Sequence, residues 1–290
     1  MKIKKRKTLG MTIVELLPPI GITFTLASML LPALAKAKSR ANRIKCVNNV
    51  KQVGGALNAF ADDNRDRYPW LLTWKDQIAQ QGGAATASAR VYFETSSLFA
   101  DVGIRANLGS PKILVSPCDP ENQGPNDLVD LHARNPIPNN AHSYGVVTGG
   151  GWVGGNPDPR ARSAAELART PEDKGADVLK PTTVLMVTRN INGPRKNGAD
   201  SLSDAPTGNP ATSFINQSAT WLGPDRDAGD AGNQRVMAGL KTNQGQTAGA
   251  DGSGSQTNNA DTSNKAQAHN NAKGGNYKGV PSPILDTPND

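Results

Sequence analysis

From Met11 to Ala35 the chain is apolar, broken by a few hydroxyl residues and by one charge, Glu15. These 25 residues exceed the roughly 20 that a helix needs to cross a bilayer. After Lys36 the pattern changes to a stripe. Ile44, Val47, Val50, Leu57 and Phe60 recur at helical spacing, with basic residues elsewhere around the turn. Asp62-Asp63-Asn64, followed by Arg65-Asp66-Arg67-Tyr68-Pro69, ends the helix. An unbroken helix from 11 to 64 would measure about 80 Å. Its apolar stripe beyond the membrane-grade part needs a cover, which implies a head domain packed on a helical stem. Short β-prone runs follow at Val91-Tyr92-Phe93, Ile113-Leu114-Val115, Tyr144–Val147 and Thr182–Thr188, with Gly, Pro and Asn between them. Only Ser163–Arg169 reads as a further short helix. The expected fold is α+β: one long N-terminal helix against a small antiparallel sheet with extended loops. Its parts are a basic leader (1–10), a membrane-grade segment (11–35), a stem (36–64) and a head (65–290). Residues 201–290 are rich in Gly, Asn and Ser and read as loop or partial disorder.

The net charge of +7 first suggests a nucleic-acid partner, and its distribution removes that suggestion. Basic residues crowd positions 2–7 and 36–51, on either side of the apolar segment. From residue 52 onward 21 Lys and Arg stand against 24 Asp and Glu, about −3. The basicity flanks a membrane segment, and no nucleic-acid partner is expected. Five basic residues precede the segment and five follow it closely (Lys36, Lys38, Arg40, Arg43, Lys45), so charge does not set its orientation.

Two plain readings of the segment are a transmembrane anchor and a secretory signal peptide. The second has Ala33-Leu34-Ala35 as its cleavage site and releases a protein beginning at Lys36. Neither accounts for Glu15, whose carboxylate at bilayer depth costs about 2.5–3.5 kcal/mol. The stretch Leu9-Gly10-Met11-Thr12-Ile13-Val14-Glu15-Leu16-Leu17 resembles the signature of type IV prepilins and type II secretion pseudopilins. That resemblance implies cleavage after Gly10 by a prepilin peptidase on the cytoplasmic side, and Met11 as an N-methylated terminus. It also implies a role for Glu15 in assembly, opposite the α-amino group of a neighbouring subunit, because a buried charge is tolerable only when paired. Localisation would be the bacterial inner membrane, single-pass, with the N-terminus cytoplasmic and a pilin-like head in the periplasm. Partners would be the peptidase, other pilin or pseudopilin subunits and inner-membrane lipid, and the role structural rather than enzymatic.

The likeness continues through Ala27–Lys38, the Cys46-Val47-Asn48-Asn49-Val50-Lys51-Gln52 element and Ala61-Asp62-Asp63-Asn64, which are similar to a large bacterial subgroup of these proteins. Further on, Ser116-Pro117-Cys118-Asp119-Pro120 is similar to that subgroup's Cys-Pro-Ser-Asp-Pro turn with Cys and Ser exchanged, and Ser143-Tyr144-Gly145 follows. Ala250-Asp251-Gly252-Ser253 resembles its C-terminal hairpin. One departure is Pro18-Pro19, where relatives carry aliphatic residues. These prolines remove the amides that would bond to the Val14 and Glu15 carbonyls, so a kink or break is expected there. Pro32 fits a milder bend.

The remaining chemistry is sparse. Cys46 and Cys118 permit one disulfide in an exported chain, worth about 3–4 kcal/mol for a loop of this length, or remain free thiols in a reducing compartment. No CxxC pair or Cys/His cluster of zinc spacing exists, and His132, His142 and His269 are scattered. Ala141-His142-Ser143-Tyr144-Gly145 approaches a nucleophile elbow, which needs a helix after Ser143 that the sequence does not offer. An exported serine hydrolase is therefore the least favoured reading, behind a membrane-anchored or secreted binding module. Asp251, Ser253, Ser255 and Asp261 alternate oxygens as calcium loops do, and some pseudopilins hold calcium in this part of the head. Gln256 and Thr262 stand where such a loop needs Gly and Glu, so a polar hairpin is favoured and no cofactor is expected. Gly149–Gly155 lacks the Lys-Ser/Thr ending of a phosphate loop. Trp70, Trp74, Trp152 and Trp221 are expected to fill the head core.

Overall fold

The computed structural model describes residues 13–81, 92, 95–119, 142–148, 175–188, 190–192, 220–221, 237, 239–273 and 285–286. The chain divides into two compact units, Met1–Asn42 and Arg43–Asp290. Helix α1, Ile13–Asp63, supplies the described part of the first and opens the second.

In the first unit α1 continues through Pro18, Pro19 and Pro32, so the break expected at Pro18-Pro19 does not occur. The fixed φ of proline is compatible with a helix, and what is lost is the amide donor. Hydroxyls reinforce the turns that follow: Thr23 donates to the Ile20 carbonyl (2.9 Å), Thr25 to Ile22 (2.8 Å) and Ser28 to Thr25 (2.8 Å).

In the second unit α1 buries Cys46, Val50, Val53, Leu57 and Phe60, a 4-3-4-3 spacing that keeps one helix face inward. Ile44, expected in that stripe, is exposed, because six residues before Val50 it points about 120° away. The helix stops where Asn64 Nδ2 donates to the Phe60 carbonyl (2.8 Å) and Arg65 and Asp66 take φ of 61° and 57°. A 3-10 turn, Pro69–Leu71, then leads into α2, Trp74–Gln80, capped by the Thr73 hydroxyl. Two more short helices, α3 (Thr95–Leu98) and α4 (Val102–Leu108), complete a set of local turns that apolar periodicity did not announce. Ile113-Leu114-Val115, expected as a strand, lies in and just after another 3-10 turn, Pro111–Leu114. Ser110 caps that turn and Pro111 presets its φ.

Five strands form an antiparallel sheet in the order β6-β5-β2-β1-β7. They are β1 (Tyr144–Val147), β2 (Val184–Thr188), β5 (Gly245–Gly249), β6 (Gly254–Thr257) and β7 (Leu285–Asp286). A two-stranded pair, β3 (Ile191–Asn192) with β4 (Thr220–Trp221), stands beside it. One sheet face packs on α1. Tyr144, Val146, Leu185, Met186 and Ala248 share a core with Val50, Val53 and Leu57. Gly54 permits the close approach, since a Cβ there would touch Leu185 Cδ2 at 3.6 Å and Ala248 Cβ at 3.8 Å. A register irregularity between Val184 and Met186 lets Leu185 and Met186 both join this core. The other face, through Val147, Val184 and Val187, forms a second cluster with Trp221 and with Ala266 of helix α5, Asn259–Ala272.

The architecture is thus α+β, a long N-terminal helix and a small antiparallel sheet. The C-terminal stretch departs from its reading as loop: residues 245–257 form the expected hairpin, turning at Ala250-Asp251-Gly252-Ser253, and α5 follows it directly. The expected helix Ser163–Arg169 and strand residues Val91 and Phe93 lie outside the described residues.

Candidate functional site

Between Ile13 and Leu34, α1 exposes twelve large apolar side chains on all sides, among them Phe24 (74 % exposed) and Met29 (77 %). It is, among the described residues, the one helix long and apolar enough to cross a membrane. Leaving such side chains in water forgoes about 1.5–3 kcal/mol each, on the order of 20 kcal/mol for the set. Water is therefore not the environment this sequence suits. Glu15 lies in the first turns of α1, its side chain outside the described set, and Gly10 and Met11 also lie outside it.

The head holds a second concentration of reactive groups, where α1 meets the Ser116–Asp119 turn. Cys46 and Cys118 are both fully buried free thiols. They are hydrogen-bonding neighbours, and Ser116 joins them: its hydroxyl donates to Cys46 Sγ (2.8 Å) and accepts from the Cys118 amide (3.1 Å). The Tyr144 hydroxyl lies 3.8 Å from Cys46 Sγ. Asn49 Nδ2 fastens the same helix face to the Val115 carbonyl (3.3 Å). On the outer side Gly239 donates its amide to the Cys118 carbonyl (3.0 Å), and its own carbonyl accepts from Arg43 Nε (3.3 Å). Burial pushes the Cys46 thiol well up. Cys118 is held below its ordinary value, chiefly by the hydrogen bond from Cys46 and also by the Arg43 charge. The cysteines were evident as a possible pair. Ser116, Tyr144, Arg43 and Gly239 were not recognised as its surroundings, and only the Ser116-Pro117-Cys118 turn carried a signal.

Ser143 does not sit on an elbow. Residues 144–147 after it are strand β1, and its buried hydroxyl accepts from the Ser116 amide (3.0 Å), tying β1 to the cysteine turn. The calcium candidates take separate local roles. Asp251 Oδ1 accepts from the Ser253 amide (2.9 Å), and Asp261 completes a capping box with Asn258 at the start of α5. Ser255 Oγ accepts from Lys265 Nζ (2.9 Å), which also donates to Thr247 Oγ1 (3.0 Å). Burial lowers Lys265, opposed by the charges of Asp251 and Asp261, so an ammonium already faces these oxygens. Among the described residues no three His, Cys, Asp or Glu side chains are grouped to hold a metal.

Trp70, Trp74 and Trp221 are buried as expected; Trp152 and the Gly149–Gly155 loop lie outside the described residues. His142 and His269 are buried apart from each other's elements, the first beside Tyr144 and the second on α5 against β2. Compared with protein-family models, curated proteins and solved structures, the chain matches none.

Proposed function

We propose that this chain is a prepilin-like structural subunit, processed after Gly10 and assembled into a pilus-like or type II secretion pseudopilus structure. The observation that carries the reading is the uncovered apolar half of α1, beginning at the Gly10-Met11 junction that resembles a prepilin cleavage site. In this account the Ile13–Leu34 surface is covered by inner-membrane lipid before assembly and by sister subunits afterwards. The N-terminus stays on the cytoplasmic side and the head stands in the periplasm. Removing the leader subtracts five basic side chains and bares the Met11 amine. Glu15 then neutralises the amine of a neighbouring copy, which offsets the cost of holding a carboxylate in lipid. The chain acts by association with the peptidase, lipid and other subunits, not by turnover of a substrate.

Glu15→Ala tests the pairing. In cells with an active prepilin peptidase, the variant should remain in the membrane but lose co-purification with other subunits at least tenfold, the size of a lost interaction of about 1.4 kcal/mol or more. Undiminished co-purification would contradict the assembly role.

A further inference from the structure

We propose that Cys46 and Cys118 are a dithiol poised to close into a disulfide that staples α1 to the Ser116–Asp119 turn. Four observations place the two thiols for this. Both are buried in one pocket, each is the other's hydrogen-bonding neighbour, and Ser116 bonds to both residues. Gly239 closes the outer wall, where a Cβ would come within 2.7 Å of Cys118 Cα. The pair joins elements that nothing covalent links within 70 residues of sequence, so closure would fix the docking of the stem on the head.

The chemistry is a two-electron oxidation by a disulfide-bearing oxidant. Cys118, which the Cys46 hydrogen bond and Arg43 favour as thiolate, attacks a sulfur of the oxidant and expels its other sulfur as a thiol. Cys46 then loses its proton and displaces the oxidant from Cys118, forming the 46–118 bond. Two protons and two electrons leave the protein, and the oxidant's disulfide is reduced to two thiols. Because both sulfurs are buried, the oxidant gains access before the turn seats on α1 or when it lifts away. The pairing rests on the pocket; the proposed export enters only as the source of an oxidising compartment.

The test uses the full-length chain in detergent, reduced and then equilibrated with oxidised and reduced glutathione through the onset of its thermal transition. It is quenched by alkylation and mapped without reduction. The expected product has lost two hydrogens and yields a peptide joining Cys46 to Cys118. Cys118→Ser should remove that peptide, and Gly239→Ala, which keeps both thiols but displaces the Cys118 backbone, should reduce it severalfold. Glutathione adducts at each cysteine, or two thiols still alkylatable after equilibration, would overturn the proposal. A chain that emerges from cells with free thiols yet closes the bond in this buffer would support the pairing and count against export.

Discussion

Gly245 lies beneath the indole of Trp221, so that a Cβ built on it overlaps the ring. The indole is fixed from three sides: its Nε1 donates to Thr262 Oγ1 (2.7 Å), its amide to Asn259 Oδ1 (2.7 Å), and its carbonyl accepts from the Asn243 amide (3.3 Å). It cannot step aside without breaking these bonds. Gly245→Ala should therefore destabilise the head by about 1–3 kcal/mol, as overpacking does, seen as a lower denaturant midpoint at unchanged slope. An unchanged midpoint would mean that the ring does not rest on this strand. Little of this was legible beforehand, since a glycine among many glycines and a lone tryptophan carry no sign of their contact. The cysteine pocket was partly legible for the opposite reason. Only two cysteines exist to be paired, whereas Ser116 and Gly239 are common residue types whose position is set by the fold.

Helix α1 shows how one element can serve two environments. Leu57 is fully buried against the sheet, while Leu30 is 66 % exposed in the other unit. Leu57→Ala should cost about 2–5 kcal/mol of head stability, and Leu30→Ala should leave the melting of the head unchanged. Equal losses in both variants, measured by thermal melts in the same detergent, would show that the division at Asn42–Arg43 is wrong. The long helix was readable because its pattern runs over dozens of residues, and so was the hairpin at Ala250–Ser253. Helix α5 was not, because its sequence NADTSNKAQAHNNA has no apolar stripe. What holds it is polar and tertiary. Its start carries the Asn258–Asp261 capping box, His269 Nδ1 accepts from the Val184 amide (3.0 Å), and Lys273 at its end pairs with Asp177 (3.1 Å). The short helices before the sheet escaped notice similarly, since each depends on a cap such as Thr73 or Asp101 more than on periodicity.

On the scale of the whole chain, the two units differ in what covers their apolar surface. The head closes its own core from both faces of the sheet, with α1 on one and α5 with Trp221 on the other. The N-terminal unit closes nothing: its apolar side chains face outward, and their cover must come from outside the chain. Lipid and sister subunits supply that cover in the proposed function, and both require that the leader be cut at one bond. The mass and N-terminal sequence of the chain extracted from cells with an active prepilin peptidase test this most directly. The account predicts a chain beginning at Met11 and carrying an N-methyl group. A chain beginning at Lys36, or one retaining residues 1–10, would contradict it.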